Sequence, residues 1–272
     1  MKELVIHNWE ELQEVIFKGV WDDKLMRYRS NFVYRGISDA SCGLEPKLNR
    51  VCSHNLELER SLIRNFKKYA YAEGGNSKSF WKTISLAQHH GLPTRLLDWS
   101  YSPLVAAHFA TEDISEYDKD GVIWCINFTK MNEKLPEVLK EALKHENSNS
   151  FTISMLDELA KNFDVLKSLS EEPFMLFFEP ASLVDRIANQ YALFSVVSDT
   201  SINMLDLIPK DEEVCFRIII PKEVKLEIRD KLDYINISER LIYPGLDGIC
   251  KWITRRYSNL GPIYNKNHKK ED

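Results

Sequence analysis

The chain has 272 residues, a net charge of −5, and a composition that is 44% hydrophobic and 28% charged. These values exclude a mainly disordered chain, and ten Gly with ten Pro exclude a collagen-like one. The length corresponds to one or two domains at roughly 150 residues each.

No apolar run approaches the roughly 20 residues that cross a bilayer. The opening MKELVIHNWEELQEV has acids where a signal peptide needs an apolar stretch, so a cytoplasmic protein is expected. With 36 basic against 41 acidic residues, no long nucleic-acid track is advertised, although a local basic pocket stays open. Cys42, Cys52, Cys125, Cys215 and Cys250 form no CxxC pair. They read as reduced thiols rather than zinc ligands.

In chain order, residues 8–20 read as a helix with Asn8 and Glu11 as a capping box. Residues 31–35 read as a strand ended by Gly36. Residues 56–72 carry Leu58, Leu62, Phe66 and Ala70 at helical spacing, stopped by Gly74 and Gly75. Residues 80–90 form a short helix closed by Gly91 and Pro93, and GLPTRLLDW reads as a compact turn. Residues 102–111 start with Ser102 as cap and Pro103 in the first turn. Strands are expected at 121–128, 173–180, 191–198 and 214–220. Helices are expected at 135–145, 155–169, 181–189, from Pro221 to about 234, and around 247–257. Helices clustered around scattered strands predict an α+β fold.

The densest chemistry lies in Gln88-His89-His90-Gly91-Leu92-Pro93-Thr94-Arg95-Leu96-Leu97-Asp98-Trp99. A stiff bent loop would hold an amide, two imidazoles, a guanidinium and a carboxylate together. The plain alternative is an Arg95–Asp98 pair that pins the loop. Adjacent imidazoles on a helix point about 100° apart, so His89 and His90 do not make a metal pair. In Tyr34-Arg35-Gly36, an Arg at a strand end suits phosphate binding, or it is a surface Arg beside a turn. Gln190, after Arg186-Ile187-Ala188-Asn189, would enter a strand and hydrogen-bond a ligand hydroxyl, or serve as an edge amide. GxGxxG, GxxxxGK[ST], GxSxG and HExxH are absent.

Together these segments resemble the FRG domain family. Tyr34-Arg35-Gly36 stands for its Phe-Arg-Gly motif. Arg35, Gly36, Ser38, Asp39, Leu44, Pro46, Leu48 and Arg50 follow its next pattern. Ala87 to Trp99 with Ser102-Pro103-Leu104, Ala106, Phe109 and Ala110 is the most specific run. Arg186, Gln190, Phe194 and Pro244-Gly245-Leu246-Asp247-Gly248 look like its downstream pattern.

A second, weaker resemblance is to ADP-ribosyltransferases of the Arg-Ser-Glu type, with Gln190 standing where that family has Glu. It implies an α+β single domain with a small, split, mostly antiparallel sheet flanked by helices, ADP-ribosyltransferase-like. The domain would span 1–258, with a core at about 25–130 plus 173–250, a helical insertion at about 132–170 that would form a lobe, and a disordered tail at 259–272.

The resemblance further implies NAD as substrate, bound by Tyr34, Arg35, Gly36, Gln88, Thr94 and Arg95. Arg35, His89, Asp98 and Gln190 would be catalytic. Because Gln190 carries no charge, Asp98, or else Glu179, would stabilise the charge that builds on the ribose. By analogy the protein would be a toxin of a toxin–antitoxin or anti-phage system, modifying RNA or protein, with a neutralising antitoxin protein. A non-catalytic binding module and an RNA-cleaving nuclease using His89 or His90 with Arg95 stand as alternatives.

Overall fold

The computed structural model describes residues 1–52, 56–71, 77–180 and 188–267. Ten strands occur among them. They are β1 (Lys2–Val5), β2 (Trp21–Asp22), β3 (Arg27–Tyr28), β4 (Phe32–Ile37), β5 (Leu97–Ser100), β6 (Gly121–Asn127), β7 (Phe151–Thr152), β8 (Met175–Glu179), β9 (Ala192–Val197) and β10 (Cys215–Ile220). β2 and β3 form a separate hairpin. The other eight make one sheet in the order β1-β10-β6-β4-β5-β9-β8-β7. Only its outer pairs, β1 with β10 and β7 with β8, are parallel. The sheet is therefore mostly antiparallel, as expected, but it is large rather than small.

The middle of this sheet decides where a ligand can enter. β4 pairs with β6 over six registered positions, yet with β5 only at Tyr34↔Ser100. The strands part beyond that point. One face of the sheet carries a continuous core that includes Val33, Trp99, Trp124 and Phe177. The other face is divided. Over β10, β6 and β4 it is covered by α1 (Trp9–Phe17), α5 (Pro103–Thr111) and α11 (Lys225–Tyr234), around Leu12, Tyr34, Ala106, Ile123 and Ile228. Over β8 and β9 it is covered by α4 (Phe80–His89), α7 (Glu137–His145), α8 (Ile153–Leu159) and α9 (Phe163–Ser168), around Trp81, Leu139, Leu156, Phe178 and Phe194.

The caps read from the sequence form: Asn8 Oδ1 accepts from Glu11 N at 2.8 Å, and Ser102 Oγ from Val105 N at 3.4 Å. Gly36 and Gly121 let α5 lie directly on β4 and β6. A Cβ on Gly36 would sit 1.8 Å from the Ala106 carbonyl oxygen, and one on Gly121 2.6 Å from that of Ala110.

Several elements differ from the expectations. The stretch 132–170 is not a lobe apart, since Leu135, Leu143, Met155 and Leu166 share a core with Trp81 and Phe178. Its second helix is two helices, because Asn162 caps α9 through Val165 N. The turn GLPTRLLDW ends in strand β5. Arg35 lies inside β4 rather than at a strand end. Short elements not expected from the sequence include α2 (Lys47–Cys52), α6 (Phe128–Asn132) and α10 (Met204–Leu207). α3 (Leu56–Tyr69) ends before Gly74 and Gly75, which lie outside the described residues, as do residues 181–187 with Arg186 and Ile187. Toward the C-terminus come α12 (Glu239–Ile242), α13 (Leu246–Tyr257) and α14 (Gly261–Asn267). α14 is helical within the segment expected to be a disordered tail.

Candidate functional site

Where β4 leaves β5, a cleft of about 850 Å³ opens on the divided face. Such a volume is within the range of small-molecule sites. Its lining includes Arg35, Gly36, Gln88, His89, His90, Asp98, Ser100, Gln190, Pro244 and Gly245. The fold thus brings together residues from four distant parts of the sequence.

Arg35 bridges the gap. Its Nη1 donates to the Asp98 carbonyl oxygen at 2.8 Å and lies 3.8 Å from the Asp98 carboxylate. In a continued antiparallel ladder a backbone N–H of β4 would meet that strand; here the guanidinium takes its place. The Arg35 Nε is buried and has no hydrogen-bond partner among the described residues. Burial lowers the Arg35 pKa. The Asp98 charge opposes this, and Arg50 adds to the lowering. A half-buried guanidinium with an unpartnered Nε–H is a place for an anionic oxygen.

A polar chain holds the Asp98 side chain. Leu96 N donates to Thr94 Oγ1 at 3.1 Å, and Thr94 Oγ1 donates to Gln88 Oε1 at 2.6 Å. Gln88 Nε2 then donates to Asp98 Oδ2 at 2.8 Å. Thr94 is therefore a buried support beneath Gln88, and it does not line the cleft.

Arg95 departs furthest from the sequence reading. Its side chain pairs with Glu59, Nε–Oε2 2.9 Å and Nη2–Oε2 2.5 Å, and stacks on Phe163 at 3.9 Å. Both partners of that ion pair are almost fully buried. It neither pairs with Asp98 nor lines the cleft.

Two motif residues reach the cleft in another way than expected. The Tyr34 side chain points into the α1–α5 core, and its hydroxyl hydrogen-bonds Ser30 at 3.1 Å. Burial pushes its pKa up to about 12. Tyr34 thus lies on the same face of the sheet as the cleft but beneath α5, while Arg35 reaches the cleft through the gap between β4 and β5. Gly36 does line the cleft, but what demands a glycine there is the Ala106 carbonyl.

Gln190 lines the cleft and ties down its far wall. Its Nε2 donates to the Ile242 carbonyl oxygen at 3.1 Å, and Asn189 Nδ2 donates to that of Leu241 at 2.9 Å. Ser100 Oγ donates to the Gln190 carbonyl at 2.6 Å. Behind the wall, the Tyr243 hydroxyl donates to Glu112 at 2.8 Å. Pro244 and Gly245 complete the wall, and Gly245 takes φ = +101°, which a residue with a Cβ resists. The sequence places these two in the family's downstream pattern but not among the site residues, although Pro-Gly directly before a helix is a turn signal. Glu179, the second acid considered, accepts from Tyr101 and Ser150 at 2.9 Å each and does not line the cleft.

No group of three or more metal-ligating side chains occurs among the described residues. Among them, too, no helix is long and apolar enough to cross a membrane.

Fold and site together define a class: a mixed α/β protein whose antiparallel sheet parts over a polar cleft with an arginine across the gap. Residues 30–119 match the model of the FRG domain family. The match holds Arg35, Gly36, Gln88, His89 and Asp98, while Gln190 and the 241–245 wall lie beyond it. No curated protein and no solved structure matches the chain significantly.

Proposed function

We propose that the cleft binds NAD and that the protein is an ADP-ribosyltransferase-like toxin of a toxin–antitoxin or anti-phage system, held in check by a neutralising partner protein. The observation that carries this reading is Arg35, whose buried Nε lacks a partner beside a cleft that can take a dinucleotide. The residues fit the group: Arg35 would hold the diphosphate, and Gln190 would keep its Oε1 for a ribose hydroxyl. Asp98 is the carboxylate among the described lining residues, and it replaces the missing Glu as the charge facing the ribose. His89 lines the same cleft and would serve as the base toward an acceptor.

A second reading, a binding module without catalysis, draws on Asp98 and Gln190 both being engaged by neighbours. The nuclease reading loses Arg95, which is committed to Glu59.

The test incubates purified protein with radiolabelled NAD and a cell lysate, divided into protein and nucleic-acid fractions, beside Arg35→Ala. Label in one fraction that vanishes in the variant supports the transferase and gives its acceptor class. Absence of both label and nicotinamide release, with ADP-ribose still bound, leaves the binding module.

A further inference from the structure

The chain is acidic as a whole, yet its charge is unevenly placed. Between residues 46 and 95 lie nine of the 36 Lys and Arg but only three of the 41 Asp and Glu. This stretch contains α2, α3 and α4. Among the described residues Arg95 pairs with Glu59 and Arg60 with Asp164. Arg50, Arg64 and Lys68 are exposed.

These cations border a groove floored by the edge of the core. It measures about 350 Å³ and is lined by Ile63, Phe80 and Phe163, with Arg64 and Lys67 along its α3 side. Lys67 Nζ sits 5.9 Å from the Phe80 ring centre. Phe80 opens α4 and His89 closes it, about 14 Å away along the axis. There His89 and His90, edge to face at 5.1 Å, line the cleft. On the same rim Lys47 donates to the Gly91 carbonyl at 2.8 Å, and Arg50 is close enough to Arg35 to depress its pKa.

We propose that the α2–α4 surface is a track for single-stranded nucleic acid that runs from the Phe80 groove toward the cleft. Asp164, paired with Arg60, also lines the groove, and Arg95 covers the Phe163 ring, so the half-buried Phe80 is the ring a base can reach. Cations on both sides of it suit a ligand that alternates phosphates and bases. An acidic protein surface would use the cations but leave the aromatic groove and the cleft unfilled. That this strand is the acceptor in the cleft rests on the transferase reading; the binding itself does not.

The test is fluorescence anisotropy with fluorescein-labelled 20-mers of RNA and of DNA, one mixed sequence, with no NAD present. Arg64→Glu combined with Lys67→Glu changes groove-edge side chains outside the cleft, and a melting curve checks that the fold is kept. The expected result is binding at low salt that weakens on a log–log plot with a slope of about −3, as for four phosphate contacts on a single strand. The double variant is expected to bind at least tenfold more weakly. The RNA and DNA arms decide which strand is preferred. No binding at low salt, or equal binding by a folded variant, overturns the proposal. Displacement of the strand by polyglutamate at equal charge concentration also overturns it, in favour of an acidic protein. Failure of the NAD assay leaves this outcome untouched.

Discussion

The Arg35 guanidinium donates at 2.8 Å to the carbonyl oxygen of Asp98, at the point where β4 and β5 stop pairing. One side chain thus closes the backbone gap and floors the cleft. Arg35→Ala leaves that carbonyl without its charged donor, at a cost of about 1–3 kcal/mol in urea unfolding. ADP-ribose affinity measured by calorimetry is expected to fall more than tenfold. Arg35→Lys keeps the charge but not the planar fork, so it should recover part of the stability and little of the affinity. Unchanged ADP-ribose affinity in a folded Arg35→Ala protein would remove Arg35 from the binding site.

Gln190→Glu separates two roles for this residue. Were Gln190 a weakened catalytic acid, the substitution would raise turnover. As a donor to the Ile242 carbonyl, it is expected to do harm, because a carboxylate cannot donate and faces an oxygen. The charged form is disfavoured in the fold, so the introduced pKa lies above its unfolded value. The folded state then holds more protons, and stability falls as pH rises through the folded pKa. The variant should match wild type at low pH and lose about 1–3 kcal/mol above it. A flat difference between the two urea-midpoint profiles would contradict this role.

The buried Arg95–Glu59 pair gives a test of scaffold against site. Arg95→Met strands Glu59, with its side chain only 2% exposed, and should cost about 3–5 kcal/mol. Adding Glu59→Leu removes the orphaned charge and should restore part of that loss, the residue-95 N–H that Glu59 accepts from being left unpaired at about 1–3 kcal/mol. ADP-ribose affinity in the double variant is expected to equal wild type. A tenfold loss there would return Arg95 to the binding residues.

What the sequence made legible were local patterns. Asn8, Ser102 and Pro103 mark helix starts because a cap needs only its next few residues. β6 and β10 stand out by composition. Arg35, Gln88, His89, Asp98 and Gln190 do gather, since the motif residues meet where the sheet parts. Missed features depend on partners far along the chain. Arg95 was grouped with Asp98, three residues away, while its partner Glu59 lies on α3, 36 residues back. β5 hid behind Gly91 and Pro93, although Leu97 and Trp99 share one face of it. Strand alternation makes the opposite facing of Tyr34 and Arg35 legible, whereas the parting of β4 from β5 that brings Arg35 to the cleft has no local signal.

Glycines at the cleft divide by cause, and substitution exposes the difference. Gly36→Ala drives a Cβ to 1.8 Å from the Ala106 carbonyl oxygen, so β4 and α5 must separate. A loss of about 3 kcal/mol or more is expected, beyond ordinary overpacking because backbone rather than side chain must move. Gly245→Ala meets open space and pays only for its Gly-specific backbone conformation, about 1–3 kcal/mol. Its effect should instead appear as weaker ADP-ribose binding through the displaced wall. Equal urea midpoints for the two variants would show that α5 yields more readily than its contact distance implies.

Lys225 predicts a pH signature that owes nothing to the cleft. Its Nζ is buried and donates to the Ser38 and Glu116 carbonyl oxygens at 2.6 and 2.8 Å. Burial lowers its pKa to about 8, against partial opposition from Asp120, Glu116 and Asp39. Between that value and the unfolded pKa of about 10.4, the unfolded chain binds the extra proton. Stability from this group therefore rises with pH across that window. The urea midpoint should climb from pH 8 toward pH 10. Lys225→Met should flatten the climb, even though it also lowers the midpoint throughout by orphaning two carbonyls. An identical slope in the variant would mean that Lys225 keeps its ordinary pKa and that its two carbonyl partners compensate fully for burial.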